Sequence, residues 1–319
     1  MTDLRGARVL VTGAAGFVGA NLARALLEQG ARVHGLVRPT TGLWRLEEIL
    51  PDLTLHKANV ADGAALRELV RKIEPEIVFH LAAERGDSTH EGRRAVVETS
   101  VLGTFLLLEA MAESGRGRMV FLGSSMEYGA SEHALEESAC PSPGTLFGAA
   151  KAGATVLCQQ FARGALCQVV ILRVFMAYGA WDKPDRLIPA AVRAALNGAE
   201  IALTEGGYRR DWVYIEDVVG ACVLAARADG ASGEIINIGS GRQWANEEIV
   251  AAIGSIVGEP VRVRVGAHPA RSWDRTSWVA DVRKAKQRLG WEPRHSLHSG
   301  LEKTVAWFRR HPEACGVVS

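Results

Sequence analysis

Residues 9–19 read Val9-Leu10-Val11-Thr12-Gly13-Ala14-Ala15-Gly16-Phe17-Val18-Gly19, and the fold of the whole chain turns on them. An apolar, β-branched run passes directly into three glycines spaced G-x-x-G-x-x-G. A helical pattern follows from Ala20 to Gln29, and Gly30 ends it. The spacing predicts a strand, a tight turn and a helix N-terminus. Such a turn needs glycine where backbone must pass close to a phosphate or to the neighbouring strand. The helix start offers free N–H groups and the positive end of its dipole to a pyrophosphate. A glycine triplet alone is a weak signal. Its position, after a strand and opening a βαβ unit, makes it a dinucleotide-binding turn with Gly13, Gly16, Phe17, Val18 and Gly19 at the cofactor.

Working outward, Arg32 to Val37 reads as a second strand. NAD-binding sites commonly carry an acid at the end of this strand to hold the ribose 2′-hydroxyl. Here the place is Val37, and Arg38 follows. A guanidinium suits a 2′-phosphate, so the expected cofactor is NADP(H), with NAD(H) the alternative. Leu53 to Ala58 is a third strand. Asn59 and Val60 follow it, where an amide can meet the adenine. Ala64 to Ile73 has helical spacing. Glu76 to Ala83 is a buried fourth strand whose small end, Leu81-Ala82-Ala83, lets a cofactor lie on the backbone. His80 reads as a packed core residue. Helix Arg94–Glu113, strand Arg118–Gly123, helix Lys151–Arg163 and strand Val169–Val174 complete the alternation.

That rhythm specifies an α/β fold, a doubly wound parallel sheet of the Rossmann type. It breaks after residue 175. Residues 1–175 form the expected dinucleotide-binding domain, with segments near 212–240 returning to it. Residues 176–319 form the expected smaller α/β substrate lobe. There Arg209–Tyr214 and Glu234–Ile238 read as short strands. Glu216–Ala228 and Asn246–Val257 read as helices, with Asn246 as a cap.

Composition narrows the function. The chain has 319 residues, 37 Lys and Arg against 36 Asp and Glu, and a formal charge of +1. That balance offers no global attraction to nucleic acid or an anionic membrane. Five cysteines lack C-x-x-C spacing, and are expected as buried thiols in a reducing compartment, with no metal site. No signal sequence is expected before the first strand, and no apolar run is expected to span a bilayer. The expected setting is cytoplasmic and soluble.

With these pieces in place the chain resembles the extended short-chain dehydrogenase/reductases, the nucleotide-sugar epimerases, dehydratases and 4-ketoreductases. The resemblance spans essentially the whole chain. It rests on Gly13-x-x-Gly16-x-x-Gly19, His80-Leu81-Ala82-Ala83, and Gly123-Ser124-Ser125-Met126-Glu127-Tyr128-Gly129. Further matches are Lys151 in a Y-x-x-x-K frame, Arg173-Val174-Phe175, Arg210-Asp211-Trp212-Val213, and Arg271 before Asp274. It implies hydride transfer to or from a nicotinamide, coupled to proton transfer at a sugar hydroxyl. Ser124 matches the substrate-binding serine. Lys151 matches the lysine that lowers the pKa of a tyrosine and binds the nicotinamide ribose. Glu84, Ser125, Met176, Arg210 and Arg271 fall at expected substrate positions, the two arginines at the diphosphate. Tyr128 belongs to the structural Tyr-Gly turn.

The tyrosine itself is replaced by Phe147, which has no ionisable group. Three explanations stand: an engineered change that traps substrate, a natural site served by Glu84 or a water relay, or a cofactor-binding protein without catalysis. Two further departures from the family pattern are Ser100 and Met176, each where relatives often have asparagine. Dehydratases carry an acid in the run that here reads Ser124-Ser125-Met126, which disfavours dehydration. The expected reaction is therefore reduction of a nucleotide-linked 4-keto sugar, with 4-epimerisation as the alternative. A non-catalytic NADP-binding sensor or scaffold is the alternative of another class. Relatives imply a homodimer through helices near 94–113 and 151–163.

Overall fold

Val9 and Val11 turn to one face of a sheet and Leu10 to the other, each into its own apolar core. This strand is buried on both faces, as a central parallel strand must be. The structure is a computed structural model and describes residues 4–86, 89–129, 131–269 and 277–315.

The first half alternates as its sequence predicts. Strand β1 (Arg8–Thr12) leads into helix α1 (Phe17–Glu28), then β2 (Arg32–Val37), β3 (Thr54–Lys57), α2 (Gly63–Ile73) and β4 (Ile77–His80). Helices α3 (His90–Val97) and α4 (Gly103–Ser114) follow, then β5 (Arg118–Ser124), α5 (Leu146–Arg163) and β6 (Gln168–Val174). The second half holds β7 (Met176–Tyr178), α6 (Leu187–Asn197), β8 (Glu200–Ala202), β9 (Arg209–Tyr214), α7 (Ile215–Ala225) and β10 (Ile235–Ile238). It ends with β11 (Gln243–Ala245), α8 (Asn246–Val257), β12 (Arg262–Arg264), α9 (Arg283–Leu289) and α10 (Leu297–Arg310).

Seven parallel strands run in the order β10-β6-β5-β4-β1-β2-β3. The chain starts in the middle and winds both ways, so the crevice between the carboxyl ends of β1 and β4 is the switch point where such sheets bind ligands. Helix α2 shows why the layers close. Asp62 caps it by accepting from the Ala65 N–H at 3.1 Å, and Leu66, Leu69, Val70 and Ile73 form its buried stripe. It packs on α4, and α4 on α5. On the other face α1 packs on α7. Strand β10 joins the large sheet beside β6, whereas β9 lies between β11 and β7 in a separate three-stranded sheet, and β12 pairs with β8.

Three sequence expectations need correction. First, α3 and α4 are joined by a π-helical turn, Glu98–Leu102, into one helical run from His90 to Ser114. By length and composition that run could cross a membrane, contrary to the expectation, and about 50% of its most apolar stretch is buried within the fold. Second, Asn246 does not cap α8. Ala245 holds the boundary, and its N–H donates to Glu248 Oε2 at 2.6 Å, so a side chain three residues on satisfies the helix start. Third, Cys140 is exposed, unlike the buried Cys158, Cys167 and Cys222.

Candidate active site

Gly13 adopts a left-handed backbone (φ +70°), and a β-carbon on it would lie 2.8 Å from the backbone nitrogen of Ala82. Only glycine lets the turn after β1 close on the end of β4. Gly19 plays the matching role inside α1, where a β-carbon would meet the Gly13 carbonyl oxygen at 2.2 Å. Gly16 is the boundary residue of α1, which has no side-chain cap and no acid in its first turn. The first N–H groups, of Phe17, Val18 and Gly19, have no intrahelical partner. Close backbone, uncapped donors and the dipole's positive end together fit the diphosphate of a dinucleotide. Beside them Leu81 donates its N–H to the Thr12 carbonyl at 3.2 Å, and Ala82 and Ala83 bring no bulk.

On the far side of the turn, Val37 is buried at the end of β2 and Arg38 is half exposed. Arg38 Nη1 donates to Glu84 Oε2 at 2.7 Å, and Glu84 Oε1 accepts from the Arg85 and Gly86 N–H groups at 3.0 and 3.4 Å. Asn59 closes the turn after β3, accepting from the Ala61 N–H at 3.0 Å, while Val60 is buried against α4.

The reacting end of the cleft is built where β5 stops. Ser124 ends that strand and opens a single 3-10 turn, Ser125–Glu127. Its hydroxyl accepts from the Met126 N–H at 3.2 Å. Glu127 reaches back from the end of the turn, and its Oε1 accepts from the Ser124 N–H at 2.8 Å. Its other oxygen accepts from Arg173 Nε at 2.8 Å on β6 and from Thr155 Oγ1 at 2.9 Å on α5. One buried carboxylate thereby fixes the strand end, the next strand and the helix that carries Lys151.

Lys151 and Phe147 lie one turn apart on α5 and share a face. Lys151 is buried, donates to the Leu122 carbonyl at 2.7 Å, and sits 4.7 Å from the centre of the Phe121 ring. Burial lowers its pKa to about 8, with Glu127 opposing the shift. The carbonyl that Lys151 holds belongs to Leu122, two residues before Ser124 ends β5. Helix α5 starts there because Thr145 caps it through the Gly148 N–H at 3.0 Å. The guanidinium of Arg85 lies 5.6 Å from the centre of the Phe147 ring.

A second buried chain supports the floor. Thr104 donates its hydroxyl to the Ser100 carbonyl at 2.6 Å, so it receives the proton of His80 Nε2 at 2.9 Å. His80 Nδ1 then accepts from Thr12 Oγ1 at 2.7 Å, and Thr12 Oγ1 accepts from the Ala82 N–H at 3.2 Å. Burial holds the His80 pKa down to about 3, with Lys151 adding to the shift. His80 is therefore a neutral core residue, as its sequence context predicts. Tyr128 is likewise buried, donating to Asn237 Oδ1 at 2.8 Å.

On the substrate side, Met176 Sδ lies 3.0 Å from Arg186 Nη2, and Arg186 Nη1 is 3.6 Å from the buried Asp182 carboxylate. Arg210 is largely buried on β9, donates to the Arg209 carbonyl at 2.8 Å, and stacks 5.3 Å from the Trp278 ring. Neighbouring Asp211 accepts from the N–H groups of Ser240, Gly241 and Ala280, which ties the 239–241 loop to the strand. Arg271, Trp273 and Asp274 lie outside the described residues, so the expected pairing of Arg210 with Arg271 is not visible. Ser125 is part of the 3-10 turn itself.

Sequence reasoning assigned no role to Glu127, Arg186 or the Thr12–His80–Thr104 chain. The signal for Glu127 was present, since it sits in the quoted Gly123–Gly129 run. Its partners Thr155 and Arg173 are 28 and 46 residues away, which no local pattern reveals. No group of three or more His, Cys, Asp or Glu side chains able to hold a metal occurs among the described residues.

A switch-point cleft lined by glycine backbone, with Ser124 ending β5 and the buried Lys151 bonded to that strand, fits the binding of a nicotinamide dinucleotide. Residues 9–239 match the model of the NAD dependent epimerase/dehydratase family, and the chain belongs to that family, within the extended short-chain dehydrogenase/reductases. It is 27% identical to the dTDP-glucose 4,6-dehydratase of Salmonella typhimurium, over 94% of this chain and 92% of that one. Its structure is similar to that of an epimerase from Methanothermobacter thermautotrophicus, with a TM-score of 0.89 and 28% identity over 98% of this chain and 95% of that one. It is also similar to a Tyr-to-Phe mutant of UDP-glucuronic acid 4-epimerase from Bacillus cereus in complex with UDP-4-deoxy-4-fluoro-glucuronic acid and NAD, with a TM-score of 0.86 and 26% identity over 95% and 99%. The chain is thus an enzyme of an NAD(P)-dependent family whose solved relatives bind nucleotide sugars.

Proposed function

We propose that this chain transfers hydride at C4 of a nucleotide-diphosphate sugar, and that its reaction is reduction of a 4-keto sugar with NADPH. The observation that carries the proposal is the buried Lys151 held at the Leu122 carbonyl, two residues before Ser124 ends β5. A bound nicotinamide supplies or accepts the hydride. Ser124 offers its hydroxyl to the sugar oxygen. Lys151 holds a positive charge at the floor, where a ribose hydroxyl and a developing alkoxide both benefit. Arg210 and Arg186 stand on the lobe side, where guanidinium groups suit a diphosphate. Met126 stands in place of the acid that water elimination requires, which argues against dehydration.

Phe147 fills the acid/base position without a proton to give. A water relay then supplies the proton, at a cost in rate. Phe147→Tyr is expected to raise kcat by about 100-fold or more, the usual worth of a positioned acid. The check is NADPH consumption by both proteins with nucleotide-linked 4-keto hexoses. Equal inertness of both across such substrates would sink the proposal and favour the non-catalytic, NADP-binding sensor.

A second reading, 4-epimerisation, draws support from the epimerases among the similar structures. It predicts interconversion of 4-epimers by the Phe147→Tyr variant with no net NADPH consumption. The preference for NADP(H) rests on Arg38 and the absent acid at Val37. Arg38→Ala is expected to weaken NADP(H) far more than NAD(H). We also propose a homodimer through α3, α4 and α5. Val97, Leu102 and Val156 are 44%, 41% and 60% exposed on these neighbouring helices.

A further inference from the structure

In a Rossmann sheet the carboxyl end of β2 meets the adenosine ribose, and an acid there selects NAD. Val37 leaves that position apolar and buried. The structure nevertheless places a carboxylate beside it. Strands β2 and β4 flank β1 on either side, and residues just past their ends reach towards each other over the glycine turn. Arg38 comes from the β2 side and Glu84 from the β4 side, and they close a 2.7 Å ion pair across the turn. Glu84 is not a loose partner. Its second oxygen is fixed by the N–H groups of Arg85 and Gly86, so the carboxylate is held in place while the half-exposed arginine comes to it.

We propose that Glu84 sets cofactor preference from the end of β4, by occupying the Arg38 guanidinium that a 2′-phosphate has to win. A 2′-phosphate must displace this carboxylate or sit beside it, and like charges at that range repel. A 2′-hydroxyl brings no such conflict, and it can donate to the same oxygen. Glu84 therefore works against NADP(H) and for NAD(H), while Arg38 works the other way. The pair makes one site open to both cofactors and narrows the margin between them. Glu84, on this assignment, faces the cofactor rather than the sugar. The inference rests on the proposed role of Arg38 as the partner of a 2′-phosphate.

Glu84→Gln separates the contributions. It removes the charge but keeps an oxygen for the Arg85 and Gly86 N–H groups, so the loop retains its support. Dissociation constants for NADPH and NADH are measured by titration calorimetry on the parent, Glu84→Gln and Arg38→Gln proteins, without sugar. The ratio of the NADPH to the NADH constant is expected to fall about fivefold in Glu84→Gln, the size that a half-exposed ion pair near 1 kcal/mol implies. A fall greater than about twofold supports the proposal, and a smaller fall or a rise overturns it. Arg38→Gln tests the underlying assignment separately. If it weakens both cofactors equally, the phosphate role of Arg38 fails. If it weakens NADPH selectively while Glu84→Gln leaves the ratio unchanged, only the role of Glu84 fails.

Discussion

Glu127 and Arg173 form an ion pair at 2.8 Å in which neither side chain meets solvent, at 0% and 2% exposure. The pair sits directly beneath Ser124, and its carboxylate also holds the Ser124 N–H and Thr155. The Arg173 guanidinium lies 4.5 Å from the centre of the Tyr128 ring, and Glu127 is the carboxylate paired with its charge. Removing one partner of a buried pair typically costs about 3–5 kcal/mol, because the other charge is left uncompensated. Glu127→Gln is expected to lose that much in urea unfolding. The double variant Glu127→Gln/Arg173→Met should regain part of it, since an uncharged pair leaves no charge behind. A Glu127→Gln loss below about 1 kcal/mol would show that the pair is dispensable.

Gly148 marks how closely α5 approaches the serine turn. A β-carbon there would lie 2.1 Å from the Met126 carbonyl oxygen, and the obstruction is backbone rather than a side chain that can swing away. Gly148→Ala must push the helix from the turn, and overpacking of this kind costs about 1–3 kcal/mol. Because Phe147 and Lys151 ride on the same helix, cofactor affinity should fall together with melting temperature. Unchanged affinity in a destabilised Gly148→Ala protein would uncouple the helix position from the site.

The neutral His80 ties stability to acid. Its folded pKa is depressed to about 3 from an ordinary value near 6.5. Between those values the unfolded chain binds a proton that the folded one refuses. Stability therefore falls as pH drops through about 6.5 towards 3, by roughly 2–3 kcal/mol on reaching pH 4.5. Comparing urea midpoints at pH 7 and 4.5 should show this loss in the parent and not in His80→Gln. Parallel losses in the two proteins would place the acid sensitivity elsewhere.

The apolar residues on α3, α4 and α5 give a third kind of test. Val156→Glu puts a charge at the centre of the proposed dimer face, where an unpaired buried charge is costly. Sedimentation velocity should show the parent as a dimer at micromolar concentration and the variant shifted to monomer, with an unchanged circular dichroism spectrum. A monomeric parent would remove the proposal.

Much of this molecule was determined by its sequence alone. The run from Val9 to Gly19 announced the turn because strand period, glycine spacing and helix start are all local properties, set within a few residues. The parallel, doubly wound class of the sheet followed from the alternation of strand and helix, while the order of its strands came from the tertiary structure. Ser124, Phe147 and Lys151 were singled out through the family resemblance, by their places in its serine run and Y-x-x-x-K frame. Glu84 and Arg38 were both singled out, but not as partners. Their 2.7 Å contact exists only because β2 and β4 flank β1, which brings residues 46 positions apart to one crevice. Glu127 escaped for the same reason, as its bonds to Thr155 and Arg173 join elements that only sheet and helix packing bring together. The chain spells out its elements through short-range periodicity. What the charged groups do is decided by the three-dimensional neighbours that burial forces on them.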